Sequence, residues 1–294
     1  MQITLSPEFP SANETITAKI EFYSIDLQRT NIIWSINGEI KKETIGGRDF
    51  SFRTKDLGEI IVLKVDVYTP NSELFTRQIN INPTDIDLIW EAETYTPTFY
   101  KGKALNTHES VIKIVALPNF IDASKNKIDP KNLIYKWKKD LSVQGEKSGY
   151  AKNTLSFIGP SLLRENIITV EIESMDGKIK GRKLIIIEAQ EPEIIFYEND
   201  PLLGIKNNLS IENNFNLKSG ELKLIAQPFF FSLTSGNNIQ YEWIMNGNII
   251  NNNTNKIILK KPEEIKGLST LSLRIQDITK IFQFAENDLN INFN

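Results

Sequence analysis

Cysteine occurs nowhere in the 294 residues, which removes disulfide bonds, thiolate metal sites and cysteine nucleophiles together. Histidine occurs once, as His108 in "ALNTHES", so a histidine-based triad would have to use this residue alone. The polar composition around it reads as a solvated loop. Charge of one sign is also missing. The net charge is −3, and the stretches 1–84, 85–189 and 190–294 carry −2, +2 and −3, so no part is a basic arm and no nucleic-acid partner is expected. No apolar run approaches the roughly 18 residues that a bilayer-crossing helix requires, so no membrane span is expected in this chain. No leader is visible, because Ile3 and Leu5 already alternate as in a strand. Glycine-rich phosphate loops are absent as well.

What is present is a pattern repeated three times. Trp34, Trp137 and Trp243 sit in "NIIWSING", "LIYKWKKD" and "IQYEWIMNG", spaced by 103 and 106 residues. Alternate residues around each are apolar, the period of a half-buried strand, and a polar turn follows at once: Asn37-Gly38, Asp140, Asn246-Gly247. An alternating strand precedes each tryptophan ("TITAKIEF", "SVIKIVALP", "ELKLIAQP") and another follows ("IIVLKVDVY", "NIITVEIES", "TLSLRIQD"). Short strands lie between, each leading to a turn with one apolar plug: Leu57, Leu163 and Ile265. Helical periodicity is missing. The reading is an all-β chain of three tandem immunoglobulin-like sandwiches, residues 1–84, 85–189 and 190–294, each with a core tryptophan on its central strand. Ala18, Ala116 and Ala226 stand where the first cysteine of an antibody domain would be. Val65, Val170 and Leu273 are their expected opposite numbers. Packing, not a covalent bond, must then join the sheets.

"YKWKKD" and "YEWIMNG" resemble the Tyr-x-Trp-x-x-(Asn/Asp)-Gly signature of bacterial immunoglobulin-like repeats of the PKD type. The first unit lacks the tyrosine and the second lacks the glycine. The chain is also similar in style to uncharacterised exported proteins of candidate-phylum bacteria. Repeats of this type occur in tandem on secreted and cell-surface proteins. The resemblance therefore implies an extracellular or envelope location, with any export signal outside this numbering, and says little about activity.

Residues suited to chemistry are few. The acidic stretches "DIDL" and "DASKNKID" lack the distal glutamate and full spacing of a calcium loop and read as surface turns. The pairs Glu91/Glu93 and Glu263/Glu264 have no partner suggesting acid–base work. No catalytic residue, metal or cofactor is expected, and the chain reads as a non-enzyme. One segment stands apart, "IWEAETYTPTFYKGKAL" at 89–105, with Trp90, Tyr95, Phe99 and Tyr100. These aromatics either cover the end of the second sandwich and wedge against its neighbour, or form a partner or glycan surface. A spacer, adhesive or envelope-assembly role through a surface protein is expected. A carbohydrate-binding module using 90–100 is the alternative.

Overall fold

The computed structural model describes every residue except 163, 218–219, 234–237, 262–266 and 294. The expected plugs Leu163 and Ile265 and the pair Glu263/Glu264 lie outside the described residues, while Leu57 is half-buried. The first sandwich consists of β1 (Gln2–Ser6), β2 (Thr15–Glu21), β3 (Asn31–Ile36), β4 (Glu39–Ile45), β5 (Asp49–Arg53), β6 (Ile61–Tyr68) and β7 (Leu74–Ile81). One sheet has the order β1-β2-β5 and the other β4-β3-β6-β7. The second sandwich follows with β8 (Asp85–Ala92), β9 (Val111–Asn119), β10 (Leu133–Lys139), β11 (Ser142–Val143), β12 (Gly149–Tyr150), β13 (Thr154–Ile158), β14 (Asn166–Ser174) and β15 (Lys180–Ile187). Its sheets are β13-β9-β8 and β11-β10-β14-β15, with β12 also on β10. The third contains β16 (Glu193–Asp200), β17 (Gly204–Ile211), β18 (Asn214–Asn216), β19 (Glu221–Phe229), β20 (Ile239–Met245), β21 (Asn248–Ile250), β22 (Lys256–Lys260), β23 (Gly267–Asp277) and β24 (Phe284–Phe293). Here the sheets are β17-β16-β19-β22 and β18-β24-β23-β20-β21. This is the immunoglobulin-like arrangement, with sequence neighbours divided between two facing sheets.

The three tryptophans are equivalent in register. Trp34 on β3 lies opposite Val65 on β6, Trp137 on β10 opposite Val170 on β14, and Trp243 on β20 opposite Leu273 on β23. All three indoles are fully buried, as are Ala18, Ala116 and Ala226 on the facing sheets. A methyl group at that point leaves room for the indole, and the branched side chain beside it closes the layer. Trp34 packs within a cluster that includes Ile16, Ala18, Phe50 and Val65, and Trp243 within one that includes Phe196, Ala226 and Leu273.

A second device repeats with equal fidelity. The backbone N–H groups of Asn37, Asp140 and Asn246 donate to the carbonyls of Val62, Ile167 and Thr270, each at 2.9 Å. Their side-chain Oδ1 atoms accept the N–H groups of those same residues at 2.8, 3.1 and 2.9 Å. All three take positive φ, 51°, 48° and 47°. The turn after each tryptophan strand is thus clamped at both backbone and side chain to the strand that pairs with it.

The indole nitrogens differ. Trp137 Nε1–H donates to Lys152 O at 2.9 Å and Trp243 Nε1–H to Thr254 O at 2.8 Å. Trp34 Nε1–H is buried with no partner among the described residues. In the other two sandwiches the carbonyl over the indole comes from the residues just before β13 and β22, Lys152 and Thr254; no such carbonyl reaches Trp34 among the described residues.

The chain divides into two compact units. One comprises Met1–Ile89, Val115–Leu155 and Ile167–Ile185; the other comprises Trp90–Ile114, Ser156–Asn166 and Ile186–Asn294. Strands of the second sandwich therefore contribute to both. Within the first unit Arg182 binds Glu8 and Glu171, each at 3.0 Å, and its guanidinium lies 4.6 Å from the Phe9 ring centre. Asn82 Nδ2 donates to Lys178 O at 2.8 Å in the same unit. "DASKNKID" is a surface turn, in which Asp122 Oδ1 accepts the N–H groups of Ser124 and Asn126, each at 2.9 Å.

Two outcomes are expected. Replacing any of the three core tryptophans by alanine should cost about 3–5 kcal/mol, but phenylalanine should separate them. Trp34→Phe removes an unpartnered N–H, so its cost should be smaller by about 1 kcal/mol than that of Trp137→Phe or Trp243→Phe, read from denaturant unfolding of each variant. Burial and the nearby Asp129 push the Tyr135 hydroxyl up to about 12. The folded state favours the neutral phenol, so this contribution to stability is fully present below the ordinary tyrosine value near 10 and is lost as pH rises through about 12. Unfolding measured across that alkaline range should show the loss in the wild type and a flatter profile in Tyr135→Phe.

Candidate functional site

From Trp90 onward the aromatic segment belongs to the second unit, and every contact described for it there is internal to that unit. β8 ends at Ala92, Glu93 N–H still donates to Val111 O of β9 at 2.7 Å, and beyond it the chain leaves the sheet of its own sandwich. Thr94 forms an antiparallel bridge with Ser232. Tyr95 N–H donates to Phe231 O, and Phe230 N–H donates to Tyr95 O, both at 2.7 Å. Leu233 N–H donates to Glu93 O at 3.0 Å. Residues 93–95 thus run as a short ribbon along the segment after β19, and backbone bonds fix the register.

The rings follow from that register. Phe99 meets Tyr197 edge-on at 5.4 Å, and Tyr100 meets Phe229 and Phe230 edge-on at 5.5 and 5.8 Å. These are favoured aromatic geometries, and they lie on a buried cluster of Tyr197, Ile225, Phe229 and Phe230. Pro97 is buried, its carbonyl accepts the Tyr100 N–H at 2.9 Å, and Gly102 admits the Tyr100 ring so closely that an added Cβ would lie 2.3 Å from it. Trp90 is half-buried with the Lys103 ammonium 3.1 Å from its ring centre. Burial lowers the Lys103 pKa, against an opposing pull from Glu91. Glu91 is exposed, and Glu93 pairs with Lys113.

Next to this ribbon lies a cleft of about 260 Å³ lined by Tyr95, Pro228, Phe231, Leu233, Tyr241 and Asn255, among others. Tyr95 is 38% exposed. Burial, with a further contribution from the neighbouring Tyr95, raises the Tyr241 pKa, so its hydroxyl stays neutral beyond the ordinary tyrosine range. The mostly apolar cleft with phenol groups at its edge can accept a ring or a short apolar side chain.

A polar node anchors the other side of the ribbon. Gln283 is fully buried; its amide nitrogen Nε2 donates to Thr107 Oγ1 at 3.2 Å and to His108 O, and its Oε1 accepts the Ser232 N–H at 3.0 Å. Thr107 Oγ1 donates to Phe230 O at 2.7 Å. His108 is not the solvated loop histidine that its neighbours suggest. It is buried, its Nδ1–H donates to Ser161 O at 2.6 Å, and its ring stacks on Phe282 at 5.6 Å. Its partners lie 53 and 174 residues away in sequence, so local composition could not reveal them. Among the described residues no group of three or more histidine, aspartate or glutamate side chains is placed to hold a metal ion.

Neither a family model nor a curated protein matches the chain. Solved structures similar to it include the central fibronectin-III array of RIM-binding protein, at 11% identity over 98% of this chain and 95% of that one, with a TM-score of 0.34. The three N-terminal domains of the highly immunogenic outer capsid protein of bacteriophage RB49 align at 9% identity over 100% and 97%, with a TM-score of 0.29. SGBP-B of the Bacteroides ovatus mixed-linkage glucan utilization locus, in complex with a mixed-linkage heptasaccharide, aligns at 11% over 100% and 70%, with a TM-score of 0.24. Likeness this loose identifies no ligand, and the fold assignment rests on the strand order and register of the chain itself.

Gln283→Leu should be costly, because an apolar side chain of similar size removes the hydrogen bonds that Thr107 Oγ1, His108 O and Ser232 N–H make to the buried amide. Denaturant unfolding of the unit containing the third sandwich should show a loss of about 2–4 kcal/mol; a loss under about 0.5 kcal/mol would remove Gln283 from the node.

Proposed function

We propose that the chain is a non-enzymatic, exported module whose tandem immunoglobulin-like sandwiches serve as a spacer, adhesive or assembly component of a bacterial surface, engaging an envelope or surface protein. On this reading 1–84, 85–189 and 190–294 are its three folding domains. The observation that supports it is the use made of the segment richest in aromatic groups. Phe99 and Tyr100 have their rings engaged edge-on, and residues 93–95 have their backbone bonded, so the segment orders its own unit in preference to presenting a reactive group. His108, the one histidine, is held between Ser161 and Phe282. Catalysis by histidine would need it reachable from solvent and paired with a nucleophile.

The carbohydrate-binding reading keeps one specific support, the cleft beside Tyr95 and Tyr241, whose size and edge phenols suit a single sugar ring. Trp90 contributes less to this reading, since the Lys103 ammonium already lies over its ring.

Surface proteolysis of intact producing cells tests the location. An epitope in the chain should be cut by external protease, and full protection until lysis would contradict a surface role. A glycan array separates the two readings. Retention below background supports the spacer or adhesive role, whereas retention lost in Tyr95→Ala and Tyr241→Ala moves the assignment to the carbohydrate-binding module.

A further inference from the structure

The linker from the first sandwich to the second is not built like a connection between independent domains. Such connections usually run exposed, with few contacts across them, and relative motion of the domains follows. Residues 81–84, "INPT", carry the chain from β7 to β8. Ile81, Pro83 and Thr84 are buried and Asn82 is half-buried. Pro83 fixes its own φ and restricts Asn82 to extended backbone. Both polar side chains of the linker bond to the chain entering β15. Asn82 Nδ2 donates to Lys178 O at 2.8 Å, and Thr84 Oγ1 donates to Lys180 O at 3.4 Å. Gly181 makes room for this approach, since an added Cβ would lie 2.6 Å from Thr84 Oγ1.

A second hold comes from the loop between β1 and β2. Pro10 is buried there, and its carbonyl accepts the Thr84 N–H at 3.1 Å. Phe9 is half-buried with the Arg182 guanidinium 4.6 Å from its ring centre, and Glu8 binds the same guanidinium at 3.0 Å. Glu171 holds Arg182 from within the second sandwich, so the guanidinium meets Phe9 from a fixed place. The ring contact contributes more than the exposed ion pair, because it also covers apolar surface. A third contact is separate in sequence. Gly58, between β5 and β6, takes φ 77°, and an added Cβ would lie 2.5 Å from Ile121 Cγ2. Residues 8–10, 58 and 81–84 of the first sandwich thus meet Ile121 and the start of β15, all within the first compact unit.

We infer that this joint is locked: residues 8–10 form a strap over the linker, and the first sandwich keeps one angle to the part of the second made by 115–155 and 167–185. A swing about Asn82 and Pro83 would have to break the two side-chain bonds of the linker, the Thr84–Pro10 bond and the Phe9–Arg182 contact together. No rotation about a single bond releases them. Contacts at separate points also resist bending about more than one axis, and the two glycines let backbone and side chain meet too closely for sliding. The inference goes beyond the spacer reading and stands without it. A spacer built this way would set orientation as well as distance.

The test uses the full chain and distances between paired spin labels. Because the chain has no cysteine, labels attach only where cysteines are introduced. One pair spans the joint, Glu73→Cys with Lys147→Cys, and a reference pair lies within the first sandwich, Lys19→Cys with Glu73→Cys; all three positions are exposed. The pair across the joint should give a single distance distribution as narrow as the reference. A cross-joint distribution that is broader than the reference, or has two peaks, overturns the lock without any further variant. Phe9→Ala, Asn82→Ala and Arg182→Ala together should then broaden the cross-joint distribution while the reference pair stays narrow, so unfolding cannot account for the change. Phe9→Ala alone should broaden it less. If the triple variant stays as narrow across the joint as the parent chain, the strap and linker bonds are not what holds it, and the inference fails.

Discussion

Everything described depends on how two sheets are held together without a covalent link. Each sandwich solves this with one indole inserted between an alanine on the facing sheet and a branched residue on the paired strand: Ala18, Trp34 and Val65; Ala116, Trp137 and Val170; Ala226, Trp243 and Leu273. A disulfide acts largely through the unfolded chain, whereas this arrangement acts through close packing in the folded one. It therefore tolerates little change in volume at three positions per sandwich. The paired clamps at Asn37, Asp140 and Asn246 hold the end of each tryptophan strand, so the indole cannot slip by a residue without breaking two hydrogen bonds.

Much of this was legible because it is local and repeated. The tryptophan strands, their spacing, the alanines and their opposite residues all follow from period-two alternation and the turn signals beside it. What was not legible depends on distance in sequence. The pairing of Tyr95 with Phe231 and the bonds from Gln283 to Thr107 and His108 join segments more than a hundred residues apart, with no periodic pattern linking them. The strands β17 and β18, the second parallel to β24, lie in an asparagine-rich stretch whose low β-propensity masks them. For the aromatic segment, composition placed the rings at a boundary but left the neighbour open. The described contacts lead to Tyr197, Phe229 and Phe230.

The same economy bears on function. Aromatic and polar groups that would draw attention as a site are mostly occupied by internal partners, and what stays exposed lies at turns and edges. In sandwiches of this kind the scaffold changes slowly while turn residues are free to take up binding, so departures between repeats are the informative positions. The proline-bearing excursion after β8 is such a departure.

Native-state hydrogen exchange tests the central account most directly. If the indole layers are what hold the sheets together, the slowest amides of each sandwich should lie on the paired strands β3/β6, β10/β14 and β20/β23, opening only with unfolding of the surrounding structure. If those strands exchange as fast as the edge strands while the 89–105 segment is the most protected, the tryptophan layers are not the main support and the account fails.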